Sequence, residues 1–131
     1  MLRYEINGHV GAAELCELRK AVGWNGMLRS LSDERMTSFV HVAVYDDNKL
    51  VGYADSVSNG VTDAYIQDVA VLPQYQGRGI GSELMRKMIA EISERGVYMI
   101  SVVYEPSLSG FYRRFGFYEM LSGQLETRHE D

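Results

Sequence analysis

The chain of 131 residues holds one cysteine, two prolines and three histidines. A lone Cys16 cannot close an internal disulfide, and no second cysteine stands at metal-ligand spacing. Disulfide frameworks, zinc ribbons and redox pairs are therefore excluded, and a reducing, cytoplasmic setting is expected. His9, His41 and His129 share no spacing that would gather them as ligands, so no metal is expected. The first ten residues lack the apolar stretch of a signal peptide, and nowhere do roughly 18 apolar residues run together, so neither a leader nor a membrane span is expected. Positive charge is also short. Thirteen Lys and Arg stand against eighteen Asp and Glu, a net charge of −5, which disfavours nucleic acid or an anionic membrane surface as the partner. No run rich in Ser, Gly or Pro marks a linker, and residues 1–131 read as one domain. Its 46% hydrophobic residues suit a packed globular core.

Periodicity divides the chain into strands and helices. Leu2, Tyr4 and Ile6 alternate with polar neighbours, predicting a strand over Met1–Asn7. Ala12, Leu15, Leu18 and Val22 recur at spacings of three and four, predicting a helix over Gly11–Val22, and Cys16 reads as a core residue on it. Trp24–Ser30 reads as a loop, with Ser32-Asp33-Glu34 opening a short second helix that ends near Phe39. Val40–Tyr45 and Lys49–Val57 flank the turn formers Asp46-Asp47-Asn48 and predict a hairpin. Asp63–Leu72 adds a third antiparallel strand, stopped by Pro73. Between Ser82 and Arg95, Leu84, Met85, Met88, Ile89 and Ile92 form one apolar stripe of a helix. Val97–Tyr104 is the most strand-like stretch, and the strand–helix–strand succession implies a right-handed crossover to a parallel partner. A short helix over Pro106–Phe115 and a last hairpin, Phe117–Leu121 with Gln124–Arg128, complete a mixed sheet with helices.

Gln76-Gly77-Arg78-Gly79-Ile80-Gly81-Ser82 lies between a strand and a helix. Unpaired backbone N–H groups and the positive helix end face outward there, which makes an anion site. Glycine lets a bulky phosphate approach the backbone, and Arg78 can add a charged contact. The alternative is a turn that only reverses the chain. A P-loop would need a lysine before Ser82, and a dinucleotide fingerprint belongs after the first strand of a parallel unit.

Gln76-x-x-Gly79-x-Gly81, preceded by Asp68-Val69-Ala70-Val71-Leu72-Pro73, resembles the acetyl-CoA-binding signature of the GNAT (GCN5-related N-acetyltransferase) superfamily. Phe111-Tyr112-Arg113-Arg114-Phe115-Gly116-Phe117 is similar to a second segment of that family, and the order of elements agrees. The resemblance implies an α/β (α+β) fold, with a mixed, mostly antiparallel sheet of six to seven strands flanked by about four helices. It implies transfer of an acetyl group from acetyl-CoA, the co-substrate, to a primary amine of a small molecule or peptide. A non-catalytic acyl-CoA-binding sensor or interaction module is the alternative. The resemblance assigns cofactor binding to Val69, Ala70, Val71, Gln76, Gly77, Arg78, Gly79, Ile80, Gly81, Ser82, Phe111 and Tyr112. Tyr112 is the candidate general acid toward the departing sulfur. Asp68 is a candidate base for the acceptor ammonium, or else a residue that orients its loop. Trp24, Asn25 and Met27 stand where such proteins shape the acceptor pocket, although Trp24 could equally be core. Glu105 and Leu108 occupy places where many relatives carry Asn and Ala. Exposed strand edges in such a fold are compatible with a homodimer.

Overall fold

A computed structural model describes residues 1–131. The alternating start of the chain forms β1 (Leu2–Ile6), and the helical spacing after it forms α1 (Ala12–Ala21). The predicted hairpin forms β2 (Val42–Asp46) and β3 (Lys49–Ser58), followed by β4 (Asp63–Val71). These four strands are antiparallel neighbours in chain order. Helix α3 (Ile80–Glu94) then crosses over to β5 (Met99–Val102), which lies parallel to β4. Gly79 has φ +82°, a left-handed turn that brings α3 in two residues earlier than its apolar stripe suggests.

The stripe on α3 seats the helix on one face of the sheet. Leu84, Met85, Met88 and Ile92 are fully buried there, each burial stabilising the fold by about 2 kcal/mol. Helix and strand approach closely because β3 carries Gly52. A Cβ at that position would lie 2.6 Å from Val44 Cγ1 and 3.3 Å from Leu84 Cδ1. Helix α1 packs on the opposite face through buried Cys16 and Leu18.

The structure corrects three expectations. The sheet has five strands, not six or seven. Residues 117–130 make no backbone–backbone hydrogen bond, so Phe117–Leu121 and Gln124–Arg128 form no hairpin. The chain end is captured by the loop after α1 instead. Met27 N–H donates to Asp131 O at 3.0 Å, Asn25 Nδ2 to Glu130 O at 2.8 Å and Ser30 N–H to Glu130 Oε2 at 3.0 Å. The short second helix, α2, spans Leu28–Leu31 rather than starting at Ser32. Ser32 closes it, its hydroxyl donating to Leu28 O at 2.7 Å, while Asp33 bonds forward to Arg35. Finally, α4 (Ser109–Arg113) is a short turn of helix entered through a tighter turn at Pro106–Leu108.

Candidate active site

Two irregularities in β4 open the sheet. β4 pairs with β5 only from Asp63 to Ile66, against Met99 to Val102, so its later residues have no neighbour on that side. Against β3, the register runs from Tyr53↔Ala70 to Asp55↔Gln67. Two residues of β4, Asp68 and Val69, thus oppose Ala54 of β3, and Asp68 takes φ +57° within the bulge. Leu72 N–H donates to Val51 O on β3 at 2.8 Å, so strand alternation turns the amides of Val69 and Val71 away from β3, toward the gap. Ala70, between them, lines a cavity on the α1 face of the sheet.

At the end of β4 the Gln76 side chain ties the following loop back, its Nε2 donating to Val71 O at 2.9 Å. The α3 ladder starts with Glu83 N–H to Gly79 O at 3.1 Å, and none of the amides from Gly77 to Ser82 finds an acceptor in the chain. Gly77 and Gly79 have positive φ, and a Cβ at either would meet nothing within 4 Å, so the loop is open on its outer side. Gly81 faces inward, where a Cβ would touch the Phe111 ring at 3.6 Å. Arg78 lies over the Tyr75 ring at 5.0 Å. Arg114 reaches the same helix start from α4, donating to Ser82 Oγ at 2.9 Å. Unpaired amides, a helix N-terminus and two guanidinium groups together fit a pyrophosphate.

Tyr112, on α4, has a buried ring stacked on Tyr104, with centroids 4.4 Å apart, and edge-on to Phe111 and Phe117. Its hydroxyl makes no hydrogen bond in the chain, yet no fully enclosed polar side-chain atom is left without a partner. The ring is therefore fixed while the hydroxyl keeps an accessible face. Burial, with the neighbouring Tyr104 and Tyr65 hydroxyls, pushes its pKa up to about 12. Tyr65 lies on β4 just before the strands part, which puts Tyr112 near the mouth of the gap.

On the α1 face, a cavity of about 210 Å³ lies beside the bulge. Leu15, Leu18, Trp24, Leu31 and Met36 supply apolar wall, and Asp55, Asp68, Tyr53, Ser38 and His41 supply polar groups. Arg19 Nη1 donates to Asp68 Oδ1 at 2.9 Å. Asp55 is 6% exposed, and burial raises its pKa. Its Oδ1 accepts from Ser38 Oγ at 2.5 Å and from Ser56 N–H at 2.7 Å.

The profile of the acetyltransferase (GNAT) family matches residues 10–117. The chain belongs to this family. It is 31% identical over 117 residues to the uncharacterized N-acetyltransferase ycf52 of Gracilaria tenuistipitata var. liui, covering 86% of this chain and 64% of that protein. Over 67 residues it is 39% identical to the chloroplastic serotonin N-acetyltransferase 2 of Oryza sativa subsp. japonica, covering 51% of this chain and 34% of that one. The chain thus spans less than two-thirds of the length of either relative. Among solved structures, the GNAT family protein SP0256 from Streptococcus pneumoniae TIGR4 aligns with TM-score 0.79 and 31% identity, over 99% of this chain and 100% of that one.

Within the GNAT fold, the residues singled out in the sequence fall into two groups. Val69, Val71, Gln76, Gly77, Arg78, Gly79, Ile80, Gly81, Ser82, Phe111 and Tyr112 gather around the gap after β4 and the start of α3, whereas Asp68, Ala70 and Trp24 line the cavity on the α1 face. Asn25 and Met27 do not line it; they hold the chain end. Glu105 is exposed, and its carbonyl accepts from Leu108 N–H at 2.9 Å within the turn before α4. Arg19, Ser38, His41, Tyr53, Asp55 and Arg114 were not singled out. One signal was available, since Asp55 interrupts the apolar alternation of Val51, Tyr53 and Val57, and a carboxylate on an inward strand face calls for a reason. The ties made by Arg19 and Arg114 cross between distant segments and leave no local pattern.

Proposed function

We propose that this GNAT domain transfers the acetyl group of acetyl-CoA directly to the primary amine of a small molecule. The observation that carries the reading is the row of unpaired amides from Gly77 to Ser82, flanked by Arg78 and Arg114, at the end of a strand whose outer edge has lost its neighbour. Acetyl-CoA supplies an acyl group already activated as a thioester. The amides of Gly77–Ser82 and the two arginines would hold its pyrophosphate. The outward amides of Val69 and Val71 would receive the polar groups of its arm in the manner of an added strand. Phe111, packed against the first turn of α3, supports that wall.

Proton handling falls to this chain. With its pKa pushed up to about 12 by burial, Tyr112 keeps its hydroxyl proton for the departing sulfur near neutral pH. The cavity beside the bulge takes the acceptor. Its modest volume and apolar walls favour a small molecule over a peptide, and the rice relative is likewise named for a small amine. Asp68, at the cavity's edge, fixes the bulge through Arg19. A built acceptor cavity also favours turnover over a purely sensing role. No helix is long and apolar enough to cross a membrane, and the free, buried Cys16 suits a reducing compartment. The test is release of thiol from acetyl-CoA across a panel of primary amines, with the acetylated amine identified by mass spectrometry. Release that depends on the amine is expected; tight acetyl-CoA binding with no amine-dependent release would favour the sensor.

A further inference from the structure

Asp55 is the most deeply buried carboxylate of the chain, and no lysine or arginine pairs with it. Both of its close donors, the Ser38 hydroxyl and the Ser56 N–H, meet Oδ1; the carboxylate also faces the Tyr53 hydroxyl, and it lines the acceptor cavity. Behind it runs a chain of short contacts. Ser38 Oγ lies 2.5 Å from Asp55 Oδ1, His41 Nδ1 lies 3.1 Å from Ser38 Oγ, and His41 Nε2 lies 2.6 Å from Gly8 O.

A carbonyl oxygen only accepts, so His41 Nε2 must carry a hydrogen. Ser38 has a single hydrogen for two neighbours. Both of its contacts are hydrogen bonds only if one further proton is present, either on Asp55 or on His41 Nδ1. The three side chains are thus built to hold one proton more than a carboxylate and a neutral imidazole would carry, with the hydroxyl able to pass it between them.

Resting on the acetyltransferase reading, we propose that Asp55 is the proton acceptor for the amine substrate, and that Ser38 and His41 relay the proton from the cavity to its half-buried rim. An alkyl amine arrives as an ammonium, with a pKa near ~10, and cannot attack until it loses a proton. Its N–H bond breaks toward Asp55 Oδ2, and the nitrogen keeps the electron pair with which it attacks the acyl carbon. The carboxylic acid so formed carries that hydrogen on Oδ2; a half-turn of the carboxyl group presents it to Ser38 Oγ, whose own hydrogen moves to His41 Nδ1. The imidazolium then loses a proton to solvent. Asp68 is less available, because Arg19 occupies its Oδ1. The titratable and charged groups facing Asp55 are His41, Tyr53 on its own strand, Asp68 on β4 with Arg19 of α1, and His9 across the cavity. Burial raises the carboxyl, which makes it a better base than an exposed aspartate.

The test compares wild type with Asp55→Asn, Ser38→Ala and His41→Gln on two amines, one protonated at neutral pH and one, such as trifluoroethylamine, already neutral there. For the protonated amine, kcat/KM of Asp55→Asn should fall about 100-fold at pH 7 and recover toward wild type as the pH approaches the amine's own pKa. For the neutral amine it should change little. Ser38→Ala and His41→Gln should show the same pattern, less severely. Equal losses on both amines at every pH would mean a merely structural role and overturn the proposal. A readout free of turnover is the titration of the Asp55 carboxyl carbon and the His41 ring nitrogens by NMR. The two should follow one shared proton in wild type and separate in Ser38→Ala; independent titration already in wild type would overturn the relay. If wild type binds acetyl-CoA but turns over neither these amines nor any of the broader panel, the acetyltransferase reading itself fails, and the proposal with it.

Discussion

Arg19 and Asp68 stand 49 positions apart in the chain, and their side chains meet at 2.9 Å. The contact joins α1 to the one residue of β4 with left-handed backbone. The same guanidinium donates from Nε to Asn25 O at 2.7 Å and lies 5.3 Å from the Trp24 ring. One side chain thus fixes the bulge, the loop after α1 and the aromatic wall of the cavity beside the bulge. Arg19→Met keeps the aliphatic stem but removes these ties, and should cost about 1–2 kcal/mol in urea unfolding. It should raise KM for the amine more than KM for acetyl-CoA. Unchanged stability and unchanged KM values would show that the bulge holds without it.

Gly52→Ala probes how closely α3 sits on the sheet. The added methyl would lie 2.6 Å from Val44 Cγ1 and 3.3 Å from Leu84 Cδ1. Both neighbours are fully buried, so neither can step aside cheaply. Overpacking of this kind costs about 1–3 kcal/mol. A lowered denaturant midpoint with the slope unchanged is the expected result, and an unchanged midpoint would place α3 farther from β3.

Tyr112→Phe removes a hydroxyl that bonds to nothing in the chain and keeps the ring stacked on Tyr104. Stability should hardly change, while kcat should fall about 100-fold as the departing thiolate loses its proton donor. Because its pKa lies at about 12, wild type should show no loss of rate from Tyr112 ionisation below about pH 10. An unchanged kcat in Tyr112→Phe across the pH range would contradict the assignment.

Most of the scaffold was legible because each element announces itself locally. The stripe Leu84, Met85, Met88 and Ile92 follows the helical period, β1 alternates, β2 to β4 are rich in β-branched and aromatic residues, and Pro73 stops β4. The glycine loop was legible for the same reason, since Gln76–Ser82 is contiguous. The cavity on the α1 face was not. Asp55 comes from β3, while Ser38 and His41 come from the segment before β2, and only the pairing of β2 with β3 brings them together. The tail misled for a physical reason too. Phe117–Leu121 has strand-like composition, but strands need a partner, and the tail is drawn instead to Ser30 and Asn25 by Glu130, a contact no local pattern encodes.

That tether should respond to acid. Hydrogen bonds from the Ser30 hydroxyl, Arg128 and the Ser30 amide hold the Glu130 carboxyl at about 2, below its ordinary 4.5. A depressed carboxyl contributes stability that is present in full above 4.5 and is lost as the pH falls through about 2. The Ser30 and Met27 amides should stay protected from hydrogen exchange near the upper value and open toward the lower one, and Glu130→Gln should open them at neutral pH. Protection that does not change across this window would show that Glu130 does not hold the tail.

The most direct test of the account is calorimetric titration of the folded protein with acetyl-CoA, CoA, ATP and NAD, in wild type and in Gly79→Val. Gly79 sits at φ +82°. A β-branched side chain there strains the backbone by about 1–2 kcal/mol and crowds the approach to the amides. Wild type should bind acetyl-CoA and CoA in clear preference to ATP and NAD, and Gly79→Val should bind acetyl-CoA at least about tenfold more weakly, the factor that 1.4 kcal/mol produces. A folded wild type that binds no acetyl-CoA, or binds ATP or NAD equally well, would reduce Gln76–Ser82 to a chain-reversing turn or a general phosphate site and contradict the account.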